Sequence, residues 1–212
     1  MMQHRAMNGV AIATCARSSF DEREAEARLE MLEMASRIIH ADSPWFALRV
    51  MTGREFVVQD ALEVLGITSL VPQRKGPDLR RRHRVIPGIM QPVIYGYVLV
   101  QSDPSPSVLV AFKAVDNVIG VLGGAEKPMR LSSSEVGRFQ AMAKAGAYDW
   151  EQDCGIVVKA GDKVRVKLFA YSGFDAEVIT PNSKGKGDVV VSVNIFGRET
   201  PVTMPIAMLE KL

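Results

Sequence analysis

The residue types that most often carry catalysis or bind metals are few and scattered in this chain. They are His4, His40, His83, Cys15 and Cys154. None of them has a second histidine, cysteine or acid at a spacing that would place two metal ligands on one helix face or one hairpin. The glycine-rich stretches match no phosphate-binding loop or dinucleotide fingerprint, and no Gly-x-Ser-x-Gly elbow occurs. The sequence therefore predicts a binding protein rather than an enzyme, with no cofactor and no metal.

The chemistry that the sequence does suggest is contact with phosphate groups. Residues 73–84 contain a single acid, Asp78, among the basic residues Arg74, Lys75, Arg80, Arg81, Arg82 and Arg84. Such a cluster in a loop with Gly and Pro can hold phosphates without reading base sequence. The chain as a whole has 26 Lys plus Arg against 24 Asp plus Glu, so the argument depends on this local clustering. The alternative is a solvated hairpin tip.

Composition limits the class of protein that can present this cluster. The 212 residues are 47% hydrophobic and 24% charged, which predicts one or two globular domains. Two distant cysteines argue against a disulfide scaffold and favour a reducing cytoplasm. No apolar run approaches the roughly 18 to 20 residues of a membrane span, so we expect a soluble protein with no membrane partner.

The elements that would position the basic cluster follow an N-terminal extension, residues 1–43. We expect a tail over 1–20 and a helix over 21–40, where apolar residues recur near helical spacing. This helix either packs on its own domain as a solvated helix or docks to a partner.

Residues 44–146 alternate between strand and helix patterns. Strands are predicted over 45–50, 67–71, 93–101 and 117–122, with helices after the first and third of them. Thr52 and Glu55 have capping-box spacing, as do Ser132 and Glu135 before a further helix, and Gly66 is suited to end the first. The order strand, helix, strand, strand, helix, strand predicts a ferredoxin-like antiparallel sheet with helices on one face.

A linker over 147–157 precedes a second domain, residues 158–212. The linker acids Asp149, Glu151 and Asp153 are expected to be solvated spacers. Strand-like runs over 163–168, 175–180, 189–195 and 201–204 are separated by turn sequences. Several short strands in so few residues predict a small β-barrel, which leaves no open sheet edge.

Two sets of motifs, read in order, resemble the NusG family of transcription elongation factors, including its antiterminator paralogues. In the first domain they are WFALRVMTGREFVVQDAL, QPVIYGYVLV and NVIGVLGGAEKP with the later SSSE; in the second they are AGDKVRV, SGFDAEV and VSVNIFGRETPVTM. The resemblance covers roughly residues 44–212. It implies an α+β protein in which a ferredoxin-like or RRM-like NGN domain is followed by a five-stranded SH3-like KOW barrel.

The resemblance also implies a polymerase-binding site on the first domain. Matching motif positions place Ile94, Tyr97, Leu99 and Val121 at an apolar pocket for RNA polymerase. Alternate strand residues must also fill the domain core, and we expect half of these four to lie there. The loop with Arg80, Arg81, Arg82 and Arg84 would lie near the non-template DNA strand, where phosphate contacts suit it.

In the second domain the resemblance points to Phe196, Gly197 and Arg198 as the contact for a further partner, Rho or a small-subunit ribosomal protein. If Phe196 packs inward, it is instead part of the core. Ile94 and Tyr95 stand where the family has Phe and Pro, and the extension is long; both favour a specialised or mobile-element paralogue.

The sequence thus predicts a monomeric transcription elongation or antitermination factor that binds RNA polymerase, favours its closed, processive state and recruits a second factor. The alternative is an RNA-binding or ribosome-associated module, because Tyr95 to Val98 is similar to part of the RNP1 signature of RRM domains.

Overall fold

The computed structural model describes residues 19–40, 43–81, 84–152, 154–167, 171–181, 186–195 and 197–212. Across these residues the chain forms four α-helices, two five-stranded antiparallel sheets and two short two-stranded hairpin sheets. The helices are α1 (Ser19–Ser36), α2 (Glu55–Val64), α3 (Pro106–Ala111) and α4 (Ser133–Lys144). None of the helices described is long and apolar enough to cross a membrane.

The first sheet is built from residues between 45 and 131. Its strands are β1 (Trp45–Val50), β2 (Ser69–Leu70), β7 (Tyr97–Gln101), β8 (Val118–Val121) and β9 (Arg130–Leu131). They run in the order β2-β7-β1-β8, with β9 also paired to β1, and every pairing is antiparallel. The four strands and the two intervening helices expected from the sequence are present, although β2 and β7 are shorter than predicted.

A long hairpin projects between β2 and β7. Its base pairs β3 (Gln73–Lys75) with β6 (Met90–Pro92), and its outer part pairs β4 (Leu79–Arg81) with β5 (Arg84–Ile86). The predicted basic cluster lies along this hairpin.

Helix α2 does not begin with the predicted capping box of Thr52 and Glu55. The N-cap residue is Arg54, and no side chain caps the helix. The Glu55 carboxylate is buried and accepts the backbone N–H of Gly96 at 2.6 Å. The carboxylate that the capping-box spacing predicts at the start of α2 therefore makes a tertiary contact instead. Gly66 follows the C-cap Leu65 with φ of 71°, the left-handed conformation that suits glycine after a helix.

Helix α4 begins as predicted. Ser132 accepts the backbone N–H of Glu135, while Glu135 accepts the backbone N–H of Ser132 at 2.9 Å. The backbone N–H and the hydroxyl of Ser132 both donate to the Glu135 carboxylate, which stabilises its charged form and holds the pKa of Glu135 below its usual value. Val136 and Phe139 are the buried residues of the helix's first two turns.

The extension helix α1 packs on the helix-covered side of the first sheet. Leu32 and Ala35 are buried in the same apolar cluster as Phe46, Val58 and Leu109. The prediction that this helix packs on its own domain is therefore confirmed, while docking of a partner to its outer side stays a prediction.

The second sheet lies between residues 163 and 211. Its strands are β10 (Lys163–Val166), β11 (Asp175–Thr180), β12 (Asp188–Ile195), β13 (Arg198–Pro205) and β14 (Leu209–Lys211). They pair antiparallel in the order β13-β12-β11-β10-β14. Each of the four predicted runs contains a strand, and β14 was not predicted.

The segment between the sheets is packed rather than solvated. Tyr148 is 1% exposed, and the carboxylate of Asp149 accepts the backbone N–H of Lys75 at 2.8 Å. The expectation of a solvated spacer is therefore wrong for this part of the connector. Glu151 is exposed, as expected, and Asp153 lies outside the described residues.

Candidate partner-binding face

Three of the residues predicted to bind polymerase share one face of the first sheet. Ile94, Tyr97 and Leu99 are 4%, 8% and 1% exposed. Along β7, Tyr97 and Leu99 alternate with Val98 and Val100, which belong to the separate cluster beneath the helices. The alternation of a strand thus assigns Tyr97 and Leu99 to the side without α1, α2 and α3.

A tight turn before β7 positions this face. Gly96 has φ of 79°, a conformation that side chains rarely adopt. Its N–H donates to the Glu55 carboxylate and its carbonyl accepts the N–H of Val50 at 2.8 Å. Both backbone groups of Gly96 are therefore tied to the neighbouring elements α2 and β1, which fixes the path of the chain between Ile94 and Tyr97.

Helix α4 and the second sheet both pack into the apolar cluster on this face. Ile94, Tyr97 and Leu99 belong to one continuous apolar cluster with second-sheet residues such as Val164 and Val191. Burial of the three predicted residues is therefore partly an effect of contact between the two sheets. We name this surface of the first sheet, defined by Ile94, Tyr97 and Leu99, the covered face.

A tyrosine pair joins the covered face to the chain between β10 and β11. The Tyr171 hydroxyl donates to the Tyr97 hydroxyl at 2.6 Å, and the two rings meet edge to face with centroids 5.9 Å apart. Burial, together with the adjacent Tyr97, raises the pKa of Tyr171 well above its ordinary value. The Tyr171 hydroxyl therefore stays protonated at neutral pH and can donate this hydrogen bond.

A buried ion pair also joins the base of the hairpin to the second sheet. Arg74 of β3 donates from Nη2 to Oδ2 of Asp188, the first residue of β12, at 2.6 Å. The prediction that Arg74 belongs with the solvated or phosphate-binding arginines is wrong, because its side chain is fully buried. One sequence feature distinguishes Arg74 from the other arginines of the cluster: it lies close to the apolar stretch that ends at Val71, which favours a buried position.

Val121 does not join the covered face. It pairs with Leu48 across β1 and β8, is half-buried, and packs against the cluster beneath the helices. The structure therefore brings together Ile94, Tyr97 and Leu99 and separates Val121 from them.

The predicted nucleic-acid contacts lie on the outer hairpin. Arg84 is exposed, and Arg80 and Arg81 lie in β4, where Arg81 is opposite Arg84 and Arg80 is opposite Val85. Arg82 lies outside the described residues. Apolar side chains accompany this cluster, because Leu79 and Val85 are 61% and 60% exposed.

The predicted second-partner contact lies in the turn between β12 and β13. Gly197 and Arg198 are exposed, and Gly197 donates its N–H to the Asn194 side chain at 3.0 Å. Phe196 lies outside the described residues. Within the part of the chain that the structure describes, no group of three or more His, Cys, Asp or Glu side chains could hold a metal ion.

These features define a mixed α/β protein whose best-formed candidate site is an apolar binding face rather than a catalytic centre. The family model described as "Transcription termination factor nusG" matches residues 43–140. A NusG protein of Deinococcus radiodurans, termed a transcription termination/antitermination protein, is 30% identical over 191 residues that cover 79% of this chain and 98% of the relative.

The chain is also similar to a second relative and to a solved structure. The protein of the same description from Bacillus subtilis is 28% identical over 181 residues, covering 79% of this chain and 98% of the relative. A solved structure titled "Domain interaction in Thermotoga maritima NusG" covers 80% of this chain and 97% of its own, with 21% identity and a TM-score of 0.40.

The chain belongs to the NusG family of transcription termination and antitermination factors. Members of this family are transcription factors and not enzymes, as the sequence predicted. The match to the family model begins at residue 43, so α1 lies outside it.

Proposed function

We propose that this protein is a transcription elongation and antitermination factor that binds RNA polymerase through the covered face. The observation that carries the proposal is the convergence of Ile94, Tyr97 and Leu99 on one apolar face whose cover comes from a distant part of the same chain. An apolar face of this kind suits a helix tip, with a few central side chains supplying most of the binding energy.

The proposal includes a division of the chain into two domains. Residues 44–146 form a ferredoxin-like NGN domain and residues 158–212 an SH3-like KOW barrel, joined by 147–157. The strand order β2-β7-β1-β8 with antiparallel neighbours supports the first assignment, and the single antiparallel path through β10 to β14 supports the second.

Polymerase binding through the covered face requires the barrel to leave it. Ile94, Tyr97 and Leu99 are almost entirely inaccessible while the two sheets are in contact. Polymerase therefore binds an open arrangement, in which the second sheet has left the covered face. It shifts the population from the closed arrangement, in which the two sheets are in contact, only by the difference between its affinities for the two arrangements. The bound first domain in turn stabilises the closed, processive conformation of polymerase, again through a difference in affinity between two conformations, here those of polymerase.

The outer hairpin supplies a second contact in this proposal. Arg80 and Arg81 lie in β4 and Arg84 is exposed in β5, and the proposed contact also includes Arg82, which is outside the described residues. Clustered guanidinium groups bind phosphates through charge and paired hydrogen bonds, so the ligand is the non-template DNA strand or RNA. Such a contact weakens steeply as salt rises.

The turn with Phe196, Gly197 and Arg198 is the proposed contact for the recruited factor, Rho or a small-subunit ribosomal protein. Gly197 and Arg198 are exposed while the covered face is buried. While the two sheets are in contact, the covered face is therefore inaccessible to polymerase, but Gly197 and Arg198 remain accessible to the recruited factor.

The experiment that tests polymerase binding compares full-length variants for retention by core RNA polymerase. The test variant is Ile94→Ser with Tyr97→Ser, and the matched control is Val57→Ser with Val64→Ser, two valines that are 49% and 87% exposed on α2. Circular dichroism confirms that both are folded. We expect about tenfold weaker binding for the test variant and unchanged binding for the control.

The direction of the change is informative. Loss of Tyr97 also weakens closure, which by itself would increase polymerase binding, so a decrease identifies a direct contact. Unchanged binding by a folded test variant contradicts the proposal. If the wild-type chain instead binds RNA tightly and polymerase not at all, the RNA-binding or ribosome-associated module replaces it.

A further inference from the structure

Arg74 joins three separate parts of the chain. It lies in β3 at the base of the hairpin, its side chain is 0% exposed, and its Nη2 bonds Asp188 in the second sheet. Its Nη1 donates to the carbonyl of Tyr148 at a long 3.5 Å, and its guanidinium carbon lies 5.8 Å from the ring of Trp150. Tyr148 and Trp150 belong to the connector between the sheets.

The connector is fastened to β3 on both sides of this guanidinium. Trp150 donates its N–H to the carbonyl of Lys75 at 3.0 Å, and Asp149 accepts the N–H of Lys75. Arg74 is consequently held in place by the first sheet's own hairpin and the connector, whereas Asp188 arrives from the other sheet. Separation of the sheets breaks the Arg74–Asp188 bond and leaves the connector contacts of Arg74 intact.

The ion pair is only partly satisfied. Arginine and a carboxylate can form two parallel hydrogen bonds, but here a single end-on bond joins them. Arg74 Nε and Asp188 Oδ1 are buried without a hydrogen-bond partner among the described residues. Burying two charges removes their hydration, and the attraction between them restores that loss only when the remaining polar atoms are also paired.

We propose that the Arg74–Asp188 pair is a weak latch that keeps the closed arrangement reversible. The inference rests on the proposed function, because the face that closure covers is the proposed polymerase site. Opening returns both charges to water, so the pair aligns the two sheets when closed and yet limits the stability of the closed state. The apolar contacts and the Tyr97–Tyr171 bond supply the attraction that the pair does not.

This latch has a distinctive signature in variants. Replacing both charges by apolar side chains of similar size removes the desolvation penalty and favours closure. Removing one charge leaves the other buried and unpaired, which favours opening. If the pair instead stabilised closure, all of these variants would favour the open arrangement.

The test measures opening on the free full-length protein by small-angle X-ray scattering, without polymerase. We expect Arg74→Met with Asp188→Leu to lower the ratio of extended to compact molecules about tenfold, and Asp188→Asn to raise it by a similar factor. The control is Arg165→Met with Asp175→Leu, which removes an exposed ion pair within the second sheet and should leave the ratio unchanged.

Polymerase affinity is measured separately on the same variants. If the proposed function holds, the apolar double variant binds polymerase more weakly and Asp188→Asn binds more tightly. A scattering profile that shows the double variant to be more extended overturns the latch, as does an unchanged ratio in both. Should the scattering changes occur without any change in polymerase affinity, the latch stands and the polymerase site is wrong.

Discussion

The two faces of the first sheet are packed by different chemistry. Beneath the helices, the buried residues of the cluster are all apolar, from Leu32 of α1 to Phe46 of β1 and Phe112 after α3. On the covered face, apolar side chains alternate with tyrosine hydroxyls, and the Arg74–Asp188 pair lies between the two sheets. Both faces exclude water, but only on the covered face do tyrosine hydroxyls and an ion pair reach across to the second sheet's part of the chain.

This difference predicts that the contact between the covered face and the second sheet separates more readily than the packing beneath the helices. Exposing the helix-side cluster would hydrate apolar surface with no compensating gain, so that cluster holds the domain together. Exposing the covered face also hydrates apolar surface, but two charges and two hydroxyls recover hydrogen bonds to water. This difference favours the proposal that a partner replaces the second sheet on the covered face.

The largest expected effect breaks the helix-side face. Phe112 is 0% exposed, and Phe112→Ala should destabilise the protein by about 3 to 5 kcal/mol, because a large cavity forms in a fully apolar cluster. Denaturant unfolding followed by circular dichroism measures the loss. Phe20→Ala, at a side chain that is 71% exposed, serves as the control and should change stability by less than about 0.5 kcal/mol. A loss below about 1 kcal/mol for Phe112→Ala would contradict the assignment.

The next effect acts on the turn that connects the two faces. Glu55→Ala removes the buried carboxylate that accepts the Gly96 N–H, and we expect a loss of about 1.5 to 3 kcal/mol because the bond is charge-assisted. Glu63→Ala changes an exposed acid on the same helix and is the matched control. The same denaturant titration measures both. Equal stability of the two variants would show that Glu55 does not hold the turn.

Alkaline pH should weaken the polar face selectively. Burial raises the pKa of Tyr148 to about 12 from an ordinary 10, so this group stays protonated in the folded chain while the unfolded chain ionises. The stability that it contributes is complete below pH 10 and is lost as pH rises toward 12, by about 1 to 2 kcal/mol. Thermal melts over this range measure it. Tyr148→Phe should reduce the slope of stability against pH, while the part that Tyr171 contributes remains. An unchanged slope in that variant would assign the whole effect to other groups.

The smallest expected effect sharpens the comparison at a single bond. Tyr171→Phe keeps the ring contact with Tyr97 but removes the hydroxyl that donates to it, which should weaken closure by about 0.5 to 1.5 kcal/mol. The fraction of extended molecules in scattering should rise, while the melting of the first sheet stays constant. If the melting temperature of the first sheet also falls when the extended fraction rises, the packing of the two faces is energetically coupled.

Local pattern predicted much of the fold. The strand and helix order of the first sheet, the capping box at Ser132 and the stop at Gly66 follow from short-range spacing, and the structure contains them. The failures share a cause. Thr52 and Glu55 had the same spacing as a capping box, but Glu55 found a partner in Gly96, which is 41 positions away in sequence. Propensity cannot anticipate such competition.

The candidate site shows the same limit. Sequence motifs selected Ile94, Tyr97 and Leu99, which the structure places in one apolar cluster. The period of two along β7 accounts for Tyr97 and Leu99, whereas Ile94 precedes the strand. The motifs also selected Val121, which packs beneath the helices, and they placed Arg74 among solvated arginines. Side-chain type alone does not distinguish a buried arginine from an exposed one.

The sequence by itself determined the family, the order of the elements and which strand residues share a face, since these depend on local periodicity and on motif order. Only the tertiary structure decided that the second sheet covers the predicted binding face, that Arg74 meets Asp188, and that Tyr97 meets Tyr171. These contacts join residues 114 and 74 positions apart. They depend on how two separately patterned sheets meet, and the periodicity within either sheet carries no information about that meeting.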